Sequence, residues 1–231
     1  MFRPSLLGFA SILCASALQA QSAPEIKNEV VVSVREQKLI LLQNGAKIAT
    51  YPVSTSKFGL GDARGKMTTP LGAMAVAQKI GDHAPQGAVF HNRRYTGEIL
   101  PPNAPGRDPI VTRIIWLRGL QPSNSNAFAR CIYIHGTAEE RTIGRPVSYG
   151  CIRMTSKDVT ALYSQLPVGA VVQVVPDKLP RVPNAKVIYH YKAPDAPVEV
   201  GRTPVAHSPS QNGRTKKSVS AGSRLKRPGS A

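Results

Sequence analysis

A cysteine that directly follows a glycine is the first feature of this sequence that could do chemistry. Cys151 stands in the stretch RPVSYGCIRM, after Gly150 and two residues before Arg153. A thiol nucleophile needs surroundings that favour the thiolate, a base, and hydrogen-bond donors for an oxyanion. Gly150 lets the backbone approach a substrate closely, and the amides of residues 149–151 are the expected oxyanion donors. Arg153 adds a positive charge, which favours a thiolate and can hold a carboxylate.

The candidate base is His135, which ends the run CIYIH and is followed by Gly136. The chain has five histidines, and His135 is the one at a predicted strand end beside small residues. Other interpretations stay open, because a lone cysteine is most often an inert buried residue and a lone histidine is more often structural or solvated. Cys131 is expected to be a small core residue, although a disulfide between Cys131 and Cys151 would compete with the nucleophile hypothesis.

The elements that must position these residues are predicted to be mainly β. Apolar runs and alternating patterns predict strands at residues 30–34, 38–42, 46–53, 72–80, 110–117, 131–135 and 169–175. One short helix is predicted after Cys151, over residues 157–166, with Thr155 or Ser156 as its cap. The predicted fold is therefore a β-sandwich or a partly closed barrel with one short helix.

Two further predictions concern parts of this fold. Within residues 131–135, alternation places the odd-numbered side chains on one face of the strand and the even-numbered ones on the other. Residues 81–109 carry five prolines and are predicted to form a long surface loop or flap.

The first residues predict export. An apolar run of 12 residues from Leu6 to Ala17 is too short to span a bilayer and has the length of a signal-peptide core. Small residues ending at Ala17 or Ala20 are candidate cleavage sites, so residues 1–20 are predicted to be a signal peptide. The alternative is an N-terminal core helix. Cleavage would leave two cysteines, which are too few for a disulfide framework. The exported protein is expected in the periplasm or the cell wall.

The other end of the chain is strongly basic. Residues 176–231 hold 11 basic and three acidic side chains, and from Gly201 onward there are seven basic residues and no acidic one. With so few large apolar residues, this tail is predicted to be largely disordered. Its charge suits an anionic cell-wall polymer or an acidic lipid surface. Nucleic acid is the least favoured partner, because no nucleic-acid module accompanies the charge. A solvated tail without a specific partner is the alternative.

Two short motifs resemble the catalytic signature of the L,D-transpeptidase catalytic domain, the YkuD-type family. YIHGT at residues 133–137 and SYGCIRM at residues 148–154 are similar to the family's HGT segment and its SHGCIR or SHGCLN segment, with the same 16-residue step from His135 to Cys151. TPLG at residues 69–72 resembles the family's TPxG segment, and IWLRG at residues 115–119 fits the strand before HGT. The resemblance covers residues 28–175.

The resemblance implies a fold and a reaction. The fold would be of the L,D-transpeptidase type. The reaction would be that of a cysteine L,D-transpeptidase on peptidoglycan tetrapeptide stems, with a thioester at Cys151, release of the terminal D-Ala and transfer to an amine. His135 would be the base, the Gly150 and Cys151 amides would stabilise the oxyanion, and Ser148 and Arg153 would hold the donor stem or the active-site turn. Gly136 would belong to the same substrate-binding set, and the chemistry needs no metal or other cofactor.

The alternatives differ in acceptor or in activity. With water as the acceptor, the protein would be an L,D-carboxypeptidase. A different thiol hydrolase and a non-catalytic wall-binding protein are the other candidates. The chain departs from the family pattern at Tyr149, where the family usually has histidine. Because tyrosine carries no cationic form, Cys151 is expected to be less activated. The ring of Tyr149 is predicted to line the donor groove, with its hydroxyl donating to the stem or the turn, unless the residue is a tolerated packing substitution.

Overall fold

The computed structural model of this chain describes residues 26–185. The predicted signal peptide, residues 186–231 of the predicted basic tail and the edge strand expected at residues 189–191 lie outside the described residues. In chain order the elements are β1 (Asn28–Ser33), β2 (Lys38–Gln43), β3 (Ala46–Pro52), β4 (Gly72–Ile80), β5 (Ala88–His91), β6 (Arg94–Ile99), β7 (Ile110–Gly119), β8 (Tyr133–Thr137), β9 (Ile152–Met154), α1 (Ser156–Gln165) and β10 (Val171–Val175). The mainly β prediction with one helix after Cys151 is confirmed.

All ten strands belong to one open sheet that branches at β7. The main path runs β3-β2-β1-β10-β4-β7-β5-β6, and β8 pairs with β7 on one side and with β9 on the other. The β1–β10 and β8–β9 pairs are parallel, and the remaining pairs are antiparallel. The ten-residue strand β7 therefore supports both the candidate base on β8 and the β5–β6 hairpin.

Alternation along the strands builds one main core. Strands β1, β2, β4, β7, β8, β9 and β10 send alternate side chains into a cluster in which most members are almost completely buried, and α1 contributes its apolar face. The largest fully buried members are Leu39, Leu41, Met74, Ile115, Leu117, Ile134, Ile152, Met154, Leu162 and Leu166. Burial of each such side chain stabilises the fold by roughly 1.5–3 kcal/mol. This core lies directly beneath β8 and β9 and fixes the strands that carry the candidate site.

Helix α1 begins and ends where its sequence indicates. Thr155 is the N-cap, and its hydroxyl accepts a hydrogen bond from the Asp158 amide at 3.1 Å, which satisfies one of the free amides of the first turn. Pro167 follows the C-cap Leu166 and cannot continue the helix. The predicted span of 157–166 differs from the observed Ser156–Gln165 by one residue at each end.

The structure differs from the sequence prediction in residues 81–109. A long surface loop or flap was predicted there, and the segment contains the two-stranded β5–β6 hairpin. Asn92 and Arg93 link its strands with φ values of 48° and 67°, the left-handed conformation that suits a tight hairpin turn. The prolines lie outside the two strands. They therefore did not indicate how the middle of the segment folds.

Strand β8 starts two residues later than predicted. Cys131 has a φ of 57°, so the chain is still turning there. The predicted alternation is nevertheless confirmed for its neighbours: Ile132 and Ile134 lie in the main core, whereas Cys131 and Tyr133 belong to a second cluster.

Candidate active site

The parallel register of β8 and β9 brings the two candidate residues together. His135 lies opposite Arg153, and Ile134 lies opposite Ile152, so Cys151 directly precedes the strand that pairs with β8. One cleft of about 190 Å³ is lined by Asp108, Ile110, His135, Ser148, Tyr149, Cys151 and Arg153. Five of these residues were predicted from the sequence, and Asp108 and Ile110 were not.

The imidazole of His135 is held in one orientation. Its Nδ1 lies 2.8 Å from the carbonyl oxygen of Gly136. Because a carbonyl only accepts hydrogen bonds, Nδ1 carries the proton and Nε2 is left as the basic nitrogen. Burial lowers the pKa of His135 to about 4, and Arg153 also lowers it, whereas the Gly136 carbonyl and Asp108 act in the opposite direction. His135 is therefore a neutral imidazole at pH 7.

Gly136 serves the site through its backbone. A Cβ atom at this position would lie 2.6 Å from the carbonyl oxygen of Val111 on β7. Only glycine therefore allows β8 to approach β7 so closely at the residue whose carbonyl orients His135.

The thiol of Cys151 is partly buried and protonated. Its Sγ donates a hydrogen bond to the carbonyl oxygen of Cys131 at 3.3 Å. Burial raises the pKa of Cys151 to about 11, while the Tyr133 backbone and the charges of Arg130 and Arg153 lower it. The expectation that Arg153 favours a thiolate is correct in sign, but the desolvation of the sulfur outweighs it.

Thiol and imidazole are thus each held by a backbone carbonyl. The competing disulfide is not formed, because Cys131 and Cys151 are both free thiols. Cys131 is partly buried against the second apolar cluster, and Nη1 of Arg93 lies 3.7 Å from its sulfur.

Ser148 locks the turn that presents the thiol. Its buried hydroxyl donates to the Cys151 carbonyl at 2.6 Å and accepts from the Gly150 amide at 3.2 Å. Thr69, from the TPLG segment, donates to the Gly150 carbonyl at 3.0 Å. Gly150 has a φ of 124°, a conformation that side chains rarely adopt. The Gly150 amide, expected to be an oxyanion donor, is bonded to Ser148, which leaves the amides of Tyr149 and Cys151 as the candidate donors of this turn.

Arg153 is the most enclosed charge of the cleft, with 4% of its surface exposed. Its guanidinium forms ion pairs with Asp108 and with Glu139, the latter at 3.5 Å, and donates to the Thr137 hydroxyl at 2.9 Å. Its Nε has no partner among residues 26–185. Two carboxylates of the protein already pair with Arg153, which does not favour its expected role in holding a substrate carboxylate.

Asp108 is the functional candidate that the sequence analysis missed. It ends the proline-containing segment just before β7, and its carboxylate also accepts from the Thr137 hydroxyl. The sequence carried no usable signal for it: Ile110, two residues later, pairs with Thr137 of the YIHGT motif, and that register is not readable from the sequence.

Tyr149 lies at the rim of the cleft, with 62% of its surface exposed. Its hydroxyl accepts a hydrogen bond from Nζ of Lys57 at 3.3 Å instead of donating to the turn, and its ring contacts that of Phe58 at a centroid distance of 5.6 Å.

Residues 26–185 contain no group of three His, Cys, Asp or Glu side chains that could hold a metal ion. In the same part of the chain, no helix has the length and apolarity to cross a membrane.

The sequence of this chain is similar to a known protein family. A family model described as the L,D-transpeptidase catalytic domain matches residues 27–174. ErfK/SrfK of Salmonella typhimurium, a probable L,D-transpeptidase, is 30% identical over 154 residues, which are 65% of this chain and 45% of that protein. YcfS of Escherichia coli, also a probable L,D-transpeptidase, is 28% identical over 162 residues, which are 67% of this chain and 47% of that protein. The chain spans about half the length of these curated relatives.

A solved structure of the same class is also similar. The crystal structure of an L,D-transpeptidase from Xylanimonas cellulosilytica matches with a TM-score of 0.43 and 18% identity, over 64% of this chain and 60% of that chain. The family model covers more than half of the sequence, including both motifs that carry His135 and Cys151. The chain therefore belongs to the family of L,D-transpeptidase catalytic domains.

Proposed function

We propose that this protein is an exported cysteine L,D-transpeptidase that acts on peptidoglycan tetrapeptide stems. The observation that carries the proposal is the shared cleft of Cys151 and His135, in which the Gly136 carbonyl leaves Nε2 of the imidazole free to accept a proton. Family membership supplies the substrate class. The predicted signal peptide supports action in the periplasm or the cell wall, in wall biosynthesis.

In the first half-reaction the thiol is acylated. Nε2 of His135 takes the Cys151 proton while Sγ attacks the carbonyl carbon of the third residue of the donor stem, an L-centre such as that of diaminopimelate. The Cys151 amide stabilises the oxyanion. The bond to the terminal residue then breaks, its nitrogen receives the proton from His135, and D-Ala leaves. A thioester remains on Cys151.

In the second half-reaction an amine takes the acyl group. The amine of a second stem attacks the thioester carbonyl, loses its proton to His135 and expels the Cys151 sulfur, which is reprotonated. A protein lysine or a free D-amino acid would react in the same way. Water as the acceptor would release a tripeptide acid, and the protein would then be an L,D-carboxypeptidase.

The resting charges support a concerted start. With pKa values of about 11 for Cys151 and about 4 for His135, the pair rests as neutral thiol and neutral imidazole. The proton therefore moves from Cys151 to His135 when a substrate carbonyl is present and the sulfur leaves the Cys131 carbonyl. Without a substrate, the thiol stays protonated. A resting thiol of this kind is protected from side reactions.

The experiment is incubation of the full chain with a defined tetrapeptide muropeptide, followed by mass spectrometry. A transpeptidase yields a dimer that has lost one D-Ala, and a carboxypeptidase yields a tripeptide product without a dimer. Cys151→Ala is the matched control and should lose activity by several orders of magnitude while it stays folded. An unchanged muropeptide with the wild-type chain would leave a wall-binding protein as the better description.

A further inference from the structure

Lys57 is tied to the turn that carries the thiol. Its backbone amide donates to the Ser148 carbonyl at 3.1 Å, and its neighbour Ser56 forms a β-bridge with Ser148. The same turn bears Tyr149 and Cys151. The position of the Lys57 backbone is therefore fixed relative to the cleft, although its side chain is exposed.

The Lys57 ammonium rests on two exposed aromatic rings at the rim. Nζ lies 4.5 Å from the ring centroid of Tyr149 and 5.1 Å from that of Phe58. It donates one hydrogen bond, to the Tyr149 hydroxyl. An ammonium has three donors, and no carboxylate lies within ion-pair distance of Lys57 in the part of the chain that the structure describes. The rings hold the cation in place without neutralising its charge.

The cleft needs such a cation if it binds the proposed substrate. In a tetrapeptide donor the scissile bond is the last peptide bond, so the free carboxylate carbon lies two bonds, or about 2.5 Å, from the leaving nitrogen. An anion must therefore be accommodated close to Cys151. Arg153 is enclosed and already paired with Asp108 and Glu139. Lys57 contacts Tyr149 at the rim and keeps its charge unpaired among residues 26–185. Arg93, also without a carboxylate partner in this part of the chain, is instead engaged by the Tyr133 hydroxyl and the Trp116 ring.

We propose that Lys57 is a specificity-determining residue that binds the C-terminal carboxylate of the donor peptide, with the rings of Tyr149 and Phe58 holding its ammonium. This inference rests on the proposed function for the identity of the donor. It gives Tyr149 a role that differs from that of a histidine: the tyrosine positions a neighbouring cation and supplies none itself.

The test compares two donors that differ only in this charge, a tetrapeptide stem ending in D-Ala and its C-terminal amide. Affinities are measured by calorimetric titration of the Cys151→Ala full chain, and kcat/KM for loss of the terminal residue is measured with Cys151 intact. Both backgrounds carry Lys57→Met, Lys57→Arg or Tyr149→Phe. Lys178→Met, at an exposed lysine that follows β10, is the matched control.

We expect the acid to bind more tightly than the amide, and Lys57→Met to weaken binding of the acid about fivefold, the scale of an exposed charge pair. Binding of the amide should stay within twofold. Lys57→Arg should retain the preference, Lys178→Met should have no effect, and Tyr149→Phe should have a small one because the ring remains. The ratio of kcat/KM values for the two donors should follow the affinities.

Equal affinities of the wild-type site for acid and amide would overturn the inference. Equal weakening of both donors by Lys57→Met would also overturn it, because Lys57 would then act through the fold alone. The two proposals fail separately. Turnover without an acid preference would contradict the role of Lys57 in substrate recognition and support the transpeptidase activity. An acid preference in binding without turnover would contradict the transpeptidase activity and support the carboxylate site.

Discussion

Asp108, at the end of the segment before β7, forms an ion pair with Arg153 of β9 directly beside His135. This pair links the hairpin-bearing segment to the strand that follows the thiol, and it balances a buried positive charge next to the proposed base. The charge of Arg153, which also lines the cleft, is thus paired with carboxylates of the protein.

Asp108→Asn should destabilise the protein and make His135 harder to protonate. Arg153 is buried but keeps Glu139 as a partner, and the Asp108 side chain is 24% exposed. The loss of Asp108 should therefore cost about 1 kcal/mol in the free energy of unfolding. The pKa of His135 should fall further, because Asp108 raises it and Arg153 lowers it. Urea denaturation and the acid limb of the pH–rate profile measure the two effects. Glu139→Gln is the control and should do less, since its contact with Arg153 is longer and its side chain more exposed.

Alkylation of Cys151 by iodoacetamide should be slow at neutral pH and accelerate strongly in base. With a thiol pKa of about 11, the thiolate fraction, and hence the rate, rises roughly tenfold for each pH unit from 7 to 10. Intact-mass kinetics on Cys131→Ser protein, which keeps Cys151 as the thiol of the described region, gives the profile. A plateau that begins near pH 7 would show that the resting site holds a thiolate after all.

The free energy of unfolding should depend on His135 between pH 4 and 6.5. The folded-state pKa of about 4 lies below the ordinary value of 6.5, so the unfolded chain binds the proton more readily. Stability from this residue is complete above pH 6.5 and is lost as the pH falls towards 4, by about 3 kcal/mol in total. Comparison of wild type with His135→Gln isolates this slope from that of the carboxylates. Parallel curves for the two proteins would contradict the burial of a neutral imidazole.

Ser148→Ala should loosen the turn that presents the thiol. The change removes the donor to the Cys151 carbonyl and the acceptor of the Gly150 amide, which costs about 1–3 kcal/mol for the buried groups left unpaired. The rate of acylation should fall more than substrate binding weakens, because the oxyanion donor loses its position. Thermal unfolding and single-turnover kinetics measure this, with Ser164→Ala on the exposed face of α1 as the control. An unchanged acylation rate would mean that the backbone holds the turn unaided.

Truncation after residue 200 should leave turnover of a soluble donor unchanged and weaken binding to an anionic wall polymer. The seven basic residues from Gly201 onward, with no acidic one, attract a polyanion through a force that salt screens. Co-sedimentation with the polymer at low and high salt measures the effect. A full-length variant with these seven residues changed to glutamine should behave like the truncation. Loss of soluble turnover would instead assign the tail to the active site.

Much of the site was predictable because its parts are local in sequence. His135 lies in a run with clear alternation, and residues 148–153 form a contiguous motif around Cys151. The role of each residue within that turn was harder to predict. Ser148 was expected to hold the stem or the turn, and only the folded geometry shows that its hydroxyl accepts the hydrogen bond of the Gly150 amide.

What the sequence could not indicate depends on partners far along the chain. The protonation state of Cys151 follows from burial, which outweighs the visible charge of Arg153. Asp108 and Lys57 enter the site only through strand pairings between segments that are distant in sequence. The hairpin at Asn92 and Arg93 was hidden because neither residue is a glycine, although both adopt left-handed backbone conformations.

The place of β10 in the sheet has a consequence for how the protein matures. It lies between β1 and β4, so the first three strands are joined to the rest of the sheet through the last one. A chain that emerges from its N-terminus cannot close the sheet until residue 175 is free, and such non-local pairing is slow. The strand that carries His135 and the strand that follows Cys151 do not wait for β10, because β8 pairs with β9 and with β7. We therefore expect β1, β2 and β3 to join the sheet last, after the strands of the candidate site have paired.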